Sequence, residues 1–350
     1  MVKRKKLTAV REWLSERPDH PAEGTMPAGI EVPEVVTSDE ASHLPIERAV
    51  ARGVRIEPIV IGDPSPVVEP VPVDGRFRTV PHRPDTVIDG WATASLLVRG
   101  ASLRGQVHRF DGAPRQDEMA VHALASGRVV VAVADGVSSA RHAHIGAIAS
   151  VRQAVQWVVN HAADPGDEVD WNALVAEAAW AIVVQARAIL GEDDPDLTEV
   201  EQQFATTLVV AVVDPNPDGS ATARFAGVGD SGAWVLRGDG TFDNVLGGKH
   251  ANAAGLSSSA VSGLPRRPGA VEAFETVIEV GETFLVGTDG IGDPLGSGVG
   301  GVGDLFRDVL RSGAPSLIEF AHAVDFSRAT FDDDRTLVAV QPRHTAAEPT

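Results

Sequence analysis

The sequence contains no cysteine, and this absence restricts the chemistry open to it. Disulfide bonds, thiolate metal ligands and cysteine nucleophiles are all excluded. Any bound metal must therefore be held by oxygen atoms or imidazole nitrogens, a donor set that favours magnesium, manganese or calcium over zinc.

Positive charge is also scarce, because 30 lysines and arginines face 49 aspartates and glutamates, for a formal net charge of -19. Proteins that bind nucleic acid need a basic surface, so we expect no nucleic-acid partner. Solubility explains most of an acidic excess of this kind. Carboxylates gathered around metal ions are a second source for part of it.

Long apolar runs are missing as well. The longest, such as Leu208 to Val213 and Val129 to Ala134, have the length of strands, so we predict no membrane-spanning segment and no membrane partner. The basic residues 1–6 are followed by charged residues from Glu12 onward rather than by an apolar stretch, so we expect no secretory signal. These patterns predict a cytoplasmic protein.

Composition divides the chain into three parts. Residues 1–90 are rich in proline and charge, which predicts a largely extended N-terminal tail with a short helix near residues 7–17 and a short strand at 56–61. The apolar runs in residues 91–342 predict a folded domain, and residues 343–350 are expected to form a C-terminal tail.

Hydrophobic periodicity predicts an α+β domain. Residues 129–134 are typical of a buried strand, and residues 145–163 and 171–190 show helical spacing, which predicts an antiparallel helix pair on a sheet. Further strands and helices follow this pair. One strand is expected at 120–122, before the pair, and further strands at 206–213, 221–226, 233–236, 275–280, 283–287 and 337–340, with helices at 302–311 and 315–323. This order, in which groups of strands alternate with groups of helices, differs from a repeating βαβ order and favours an α+β fold.

Several aspartates share one context, at or near the end of a predicted strand: Asp117, Asp135, Asp230, Asp289 and Asp333. Strand ends can converge at one edge of a sandwich, where gathered carboxylates repel each other unless a cation lies between them. Hard dications prefer such oxygen ligands. Aspartate beside glycine is also ordinary turn chemistry, so spacing alone does not separate the two interpretations.

An ordered series of motifs carries a resemblance across residues 95–342. The series is Gln116-Asp117, Ala134-Asp135-Gly136, Thr206-Thr207, Gly229-Asp230-Ser231, Thr288 to Asp293, and Asp333-Asp334-Arg335-Thr336. It resembles the metal-dependent protein phosphatases, the PPM or type-2C family, in their bacterial branch. The resemblance implies a four-layer α-β-β-α sandwich of two antiparallel sheets flanked by helix pairs. It also implies hydrolysis of phosphoserine and phosphothreonine by a water activated by two Mn²⁺ or Mg²⁺ ions.

The same resemblance implies a role for each matching position. Asp135 would bridge the two ions, with the Gly136 carbonyl as a further ligand. Asp117 would act mainly through metal-bound water, and Asp289 and Asp333 would complete the shell of the second ion.

Two further matching positions, Asp230 and Asp293, would hold a third, looser ion. His108 is a candidate acid that protonates the departing alkoxide, because its ordinary pKa lies near neutrality. The competing interpretation is a histidine that only fixes the loop before Asp117.

The match departs from the family pattern in front of its first aspartate. Glutamate is usual at position 116, where this chain has Gln116, and the customary phosphate-binding arginine is replaced by Gly112. We assign phosphate binding to Arg115, with Arg104 and Arg109 as alternatives, because a bidentate guanidinium suits phosphate. A solvated surface arginine is the competing interpretation for each.

Two other patterns are expected to lie at the surface. His142 and His144 alternate at a helix start, and Arg266 and Arg267 lie in a long loop over residues 246–269. The arginines have the alternative of meeting a phosphopeptide.

Three functions remain open at this point. The first is a phosphoprotein phosphatase acting on a phosphorylated Ser/Thr protein and opposing a cognate Ser/Thr kinase. The second is a catalytically weak or inactive regulatory module of the same fold, and the third is a hydrolase of small phosphoesters.

Overall fold

The computed structural model describes residues 57–65, 84–247, 263–311 and 313–343. Within these residues the chain forms eleven strands and seven helices. The strands are β1 (Thr86–Ala92), β2 (Leu96–Leu103), β3 (Glu118–Ala123), β4 (Val129–Ala134), β5 (Leu208–Pro215), β6 (Ala221–Val228), β7 (Gly232–Leu236), β8 (Phe242–Leu246), β9 (Ala273–Ile278), β10 (Thr283–Gly287) and β11 (Arg335–Pro342). The helices are α1 (Gln106–Asp111), α2 (Ala143–His161), α3 (Trp171–Leu190), α4 (Leu197–Phe204), α5 (Asp289–Leu295), α6 (Gly301–Arg311) and α7 (Leu317–Val324).

The strands form two sheets, one in the order β1-β2-β11-β10-β7-β8 and the other in the order β3-β4-β5-β6-β9. Every paired strand runs antiparallel to its neighbour. One apolar core lies between the sheets, a second joins the five-stranded sheet to α2 and α3, and a third joins the six-stranded sheet to α5, α6 and α7. The predicted four-layer sandwich is therefore confirmed.

Strand β4 shows why its sequence is apolar without interruption. Side chains alternate between the two faces of a strand. Val129, Val131 and Val133 pack in the core between the sheets, whereas Val130 and Ala132 pack against the helix layer. Both faces are buried, so the alternating pattern of a half-exposed strand is absent.

The predicted helix pair is also confirmed. Helices α2 and α3 pack on the five-stranded sheet, and α3 ends where Gly191 adopts a left-handed conformation with φ 73°. The expectation that no segment is apolar and long enough to cross a membrane is wrong for α3, a helix of 20 residues in which an 18-residue window reaches a mean hydropathy of 1.6. Here this helix buries one face, including Leu174 and Ile182, in the core.

Several elements were not predicted: β1, β2, β8, α1, α4 and α5. Strand β1 begins at Thr86 and crosses the predicted domain boundary at residue 90. Part of the predicted tail also lies on the domain, because Val60 forms a parallel bridge with Ser327. The predicted helix at 7–17, most of the loop at 246–269 and the end of the chain lie outside the described residues.

Candidate metal centre

Four of the predicted site aspartates lie at the ends of strands from both sheets. Asp117 directly precedes β3, Asp135 follows β4, Asp289 begins α5 just after β10, and Asp333 lies just before β11. Neighbouring strands run antiparallel, so entry to one strand and exit from the next meet at the same end of the sandwich.

Asp135 lies at the centre of this constellation. Burial raises the pKa of its carboxyl well above the usual value, and the charges of Asp117, Asp289 and Asp333 raise it further. The Asp135 and Asp289 carboxyl groups also share a hydrogen bond. Four carboxylates this close destabilise one another's ionised forms, so the arrangement calls for a compensating positive charge.

Asp230 and Asp293, the aspartates predicted to hold a third ion, belong to the same constellation. Burial raises the pKa of Asp289 to about 6, against the opposing effect of its hydrogen bond with Asp135. The charges of Asp230, Asp333 and Asp293 add to the rise. All six aspartates predicted as metal ligands are therefore electrostatically linked.

Hydrogen bonds fix the positions of the acidic side chains. Asp117 is fully buried, and its Oδ2 accepts hydrogen bonds of 2.8 Å from both Thr288 Oγ1 and Thr336 Oγ1. The backbone of Asp135 is held by Thr207, whose Oγ1 accepts from the Asp135 amide at 2.9 Å and whose amide donates to the Asp135 carbonyl at 2.8 Å.

The next residue, Gly136, is buried and forms an antiparallel bridge with Thr206. Thr206 also donates from its Oγ1 to the Asp135 carbonyl at 2.8 Å. The threonines at 206 and 207 therefore hold the backbone of Asp135 and Gly136 in place.

The donor set fits a hard dication. It consists of carboxylate oxygens, which Mg²⁺ and Mn²⁺ prefer, and mutual repulsion between them is what a bound cation would relieve. Gln116 supplies a second indication, because its Oε1 is buried and no donor in the described part of the chain reaches it. A buried acceptor of this kind calls for a partner that the protein itself does not supply, such as a hydrating water of the ion.

A histidine pairs with an aspartate that the sequence analysis quoted but gave no role. His108 donates from Nδ1 to Asp334 Oδ1 at 2.9 Å, and both side chains are buried. Burial alone would lower the pKa of His108, but the hydrogen bond and charge of Asp334 outweigh it and raise that pKa above the usual value. The pairing with Asp334 therefore stabilises the imidazolium relative to the neutral ring.

Asp334 holds the loop in front of the first predicted ligand. Its carboxylate accepts from the amides of Gly105 at 2.6 Å, Gln116 at 2.5 Å and Asp117 at 3.4 Å. The partners lie more than 200 residues away in the sequence, so no local pattern identifies this role. The ligand atoms of His108, Asp333 and Asp334 also lie within 4.8 Å of one another.

Two glycines clasp the loop that carries Asp333 and Asp334. A Cβ on Gly105 would lie 2.2 Å from the carbonyl carbon of Asp333, and a Cβ on Gly290 would lie 1.9 Å from the carbonyl oxygen of Asp334. No side chain fits at either distance, so close backbone approach explains glycine at both positions.

A cavity of about 360 Å³ opens beside these groups. His108, Asp289, Asp293 and Asp333 line it, together with the apolar side chains of Val107 and Phe331 and with four other residues: Ser138, Gly290, Thr330 and Asp332. Among the described lining residues there is no lysine or arginine. A smaller cavity of about 160 Å³ adjoins it, lined by Asp230, Asp289 and Asp293 with Trp234, Asn244, Gly292 and Gly296.

The assignment of phosphate binding to Arg115 is contradicted by its position. Its side chain is 1% exposed, and NH1 donates to the Asp117 carbonyl at 2.7 Å and to Ser102 Oγ. NH2 lies 3.6 Å from Glu118 Oε1. Arg115 therefore clamps the backbone around Asp117 instead of facing the cavity.

The two alternative arginines do not line the cavity either. Arg104 is buried, and its guanidinium donates to Asp85 Oδ1 and to the His108 carbonyl at 2.9 and 2.8 Å. Arg109 lies within 4 Å of Asp85 and Asp325. Both brace α1 and the segment before β1.

The expectation that His142 and His144 lie at the surface is wrong. Their exposed fractions are 5% and 1%, and His142 packs against Phe204 with ring centroids 5.0 Å apart. Burial and the neighbouring Arg141 charge lower the pKa of His142. These histidines face the helix layer because α4 covers the start of α2.

Comparison with known proteins identifies the family of this chain. The family model described as "Protein phosphatase 2C" matches residues 104–318. No curated protein matches the chain.

Solved structures of the same fold are distant in sequence. The catalytic domain of the serine/threonine phosphatase PstP, solved in complex with two manganese ions, is 18% identical, and the match covers 71% of this chain and 98% of that one with a TM-score of 0.50. A bacterial serine phosphatase carrying a point mutation is 10% identical over 71% of this chain and 99% of that one, also with a TM-score of 0.50. PstP/Ppp of Mycobacterium tuberculosis is 20% identical over 71% and 100% of the two chains, with a TM-score of 0.49. Since the family model spans more than half of the sequence, the protein belongs to the protein phosphatase 2C family, the metal-dependent PPM phosphatases.

Proposed function

We propose that this protein is a Mn²⁺- or Mg²⁺-dependent phosphatase that hydrolyses phosphoserine and phosphothreonine in proteins. One observation carries the proposal: six aspartates, five of them at or near strand ends in the two sheets and Asp293 in α5, form a single linked constellation beside a buried histidine. A cluster of this kind destabilises the metal-free fold and is expected where a cation is needed.

Asp135 would lie between two ions, with the Gly136 carbonyl, Asp289 and Asp333 as further ligands and Asp117 acting mainly through water. Asp230 and Asp293 would hold a third ion. When bound, such ions lower the pKa of a coordinated water and neutralise the charge on phosphoryl oxygens.

The chain's own residues orient the reaction. Thr288 and Thr336 fix Asp117, and a phosphoester bound in the 360 Å³ cavity would lie beside both His108 and Asp289. His108 would give a proton to the departing oxygen, because serine and threonine alkoxides are poor leaving groups.

Phosphate recognition would depend on the ions more than on side chains. Of the described residues that line the cavity, none carries a guanidinium or an ammonium group. Its aspartates repel a phosphate dianion until cations are bound. Removal of the metal should therefore abolish substrate binding as well as turnover.

The partners follow from this chemistry. We propose a phosphorylated Ser/Thr protein as substrate and a Ser/Thr kinase as the opposing enzyme, with no nucleic-acid or membrane partner and a cytoplasmic location. We also propose that residues 1–90 serve as an N-terminal tail to a phosphatase domain at 91–342, extended at its start to include β1, with residues 343–350 as a C-terminal tail.

The test is hydrolysis of p-nitrophenyl phosphate and of a phosphothreonine peptide by the full chain with Mn²⁺, Mg²⁺ or EDTA. Asp135→Asn should abolish metal-dependent turnover. Asp218→Asn is the matched control, because Asp218 is also followed by glycine but lies in an exposed turn. Turnover that survives EDTA or Asp135→Asn would refute the proposal.

A second function is favoured by two observations. Gln116 cannot accept a proton from water. The described residues that line the cavity also include no arginine that could bind phosphate. Both fit a regulatory module that keeps the fold and binds metal without turnover. A folded protein that binds Mn²⁺ but hydrolyses neither substrate would establish this alternative, and turnover of the small ester alone would indicate a hydrolase of small phosphoesters.

A further inference from the structure

We propose that Asp334 is a positioning residue that holds the His108 ring ready to protonate the departing oxygen. The inference rests on the function proposed above, and it assigns a role to a residue that the family motif left without one. Two steps of geometry and the balance of the reaction support it.

The first step concerns the hydrogen bonds that the Asp334 carboxylate accepts. The residue is 2% exposed. Oδ1 accepts from His108 Nδ1 at 2.9 Å and from the Gly105 amide at 2.6 Å. Oδ2 accepts from the Gln116 amide at 2.5 Å and the Asp117 amide at 3.4 Å. One oxygen therefore serves the histidine and its helix start, while the other serves the loop that leads to the metal ligands.

The second step concerns the ring itself. Because Nδ1 donates to Asp334, Nε2 is the nitrogen left for the cavity that His108 lines. The backbone is held as well, since Arg104 NH2 donates to the His108 carbonyl at 2.8 Å. A carboxylate on Nδ1 sets the orientation and the tautomer of the ring, as in other histidine-carboxylate pairs.

The third step is the balance of the reaction. The attacking water gives up one proton to solvent as its oxygen forms a bond to phosphorus, and the bond from phosphorus to the serine or threonine oxygen breaks. The departing oxygen takes the proton from His108 Nε2 and leaves as the free hydroxyl. Neutral His108 regains a proton from solvent, and Asp334 remains ionised throughout.

A metal ion held by His108, Asp333 and Asp334 is the competing account, because their ligand atoms lie within 4.8 Å. Asp334 already accepts four hydrogen bonds, which leaves its oxygens poorly placed to coordinate an ion as well. The two accounts differ in what happens to metal binding when Asp334 is changed.

The test uses two esters of similar shape with the metal-loaded full chain. Phenyl phosphate has a poor leaving group that needs the proton, whereas p-nitrophenyl phosphate has a good one that needs it much less. Asp334→Asn should lower kcat at least about 10-fold more on phenyl phosphate than on p-nitrophenyl phosphate. His108→Ala should show the same selectivity, and the double variant should be no more selective than His108→Ala alone.

The matched control is Asp111→Asn, which makes the same change at an exposed position of α1 and should leave the ratio of the two rates unchanged. Equal losses on both esters would show that Asp334 only supports the fold. Loss of bound metal on Asp334→Asn, measured by titration calorimetry, would favour the ligand account. Either result overturns the proposal.

A measurement independent of turnover separates this inference from the proposed function. Long-range proton–nitrogen NMR of the Mg²⁺-loaded protein should show His108 protonated at Nδ1, with that signal moved or lost in Asp334→Asn. A His108 ring that is unprotonated at Nδ1, or unchanged by the substitution, contradicts the positioning role. If wild type turns over neither ester, the proposed function fails, and the NMR result still decides the pairing of these two residues.

Discussion

Asp289→Asn should stabilise the metal-free protein at neutral pH, although it removes a proposed ligand. The pKa of Asp289 rises from 3.8 to about 6 in the fold, through burial and the charges of its aspartate neighbours. Each pKa unit corresponds to about 1.36 kcal/mol, so ionised Asp289 costs the fold up to about 3 kcal/mol above pH 6. An amide carries no charge and can still donate to Asp135.

The sign of the pH dependence follows from the raised pKa. Below about pH 4, Asp289 is protonated in both the folded and the unfolded state, and its ionisation costs the fold nothing. The free energy of unfolding falls as the pH rises through about 6, because Asp289 then ionises in the folded state. The advantage of Asp289→Asn should therefore be near zero below pH 4 and approach about 3 kcal/mol at pH 7.5.

Urea unfolding in EDTA at the two pH values measures this difference, with the exposed Asp193→Asn as control. Added Mn²⁺ should reverse the order, because only wild type keeps the full set of oxygen ligands. A variant that is less stable than wild type at pH 7.5, or a difference that does not change with pH, would refute the reasoning.

Two further substitutions test the scaffold of the site. Arg115→Met should lower the free energy of unfolding by about 3 kcal/mol or more, because it leaves buried partners around Asp117 unsatisfied, and urea denaturation measures it. A rise in KM for phosphate esters without loss of stability would instead restore the phosphate-binding hypothesis. Gly290→Ala should reduce both stability and metal affinity, since its Cβ would meet the Asp334 carbonyl at 1.9 Å; unchanged thermal melting and Mn²⁺ titration would contradict the described packing.

The fold was predictable from the sequence where the local hydrophobic pattern matches the burial of the segment in the folded protein. Strand β4 is apolar on both faces because sheet and helix layers cover it, and α3 keeps helical spacing to its glycine cap. Strand β1 was missed because its sequence, with Asp89 and Gly90 at its centre, has weak strand propensity. Pairing with β2 from Thr86 to Ala92 supplies its stability, and pairing is not a local property.

The candidate site was predictable in its ligands and not in its supports. The aspartates stand at strand ends in a recognisable order, so Asp135 and Asp289 could be named from the sequence. Arg115 and Asp334 depend on distant partners: Arg115 is buried against β2 and β3, and Asp334 joins residues as far away as Gly105. Whether an arginine faces a cavity or clamps a loop is decided by such contacts, which spacing does not encode.

The most direct test of the central claim, that these aspartates form a metal centre, is anomalous diffraction from crystals grown with Mn²⁺. The account predicts two strong peaks, each within about 2.5 Å of an Asp135 oxygen, one of them also in contact with Asp289 and Asp333. Both peaks should vanish in Asp135→Asn crystals. A well-ordered crystal with no manganese peak near Asp135, or with the ion bound elsewhere, would contradict it.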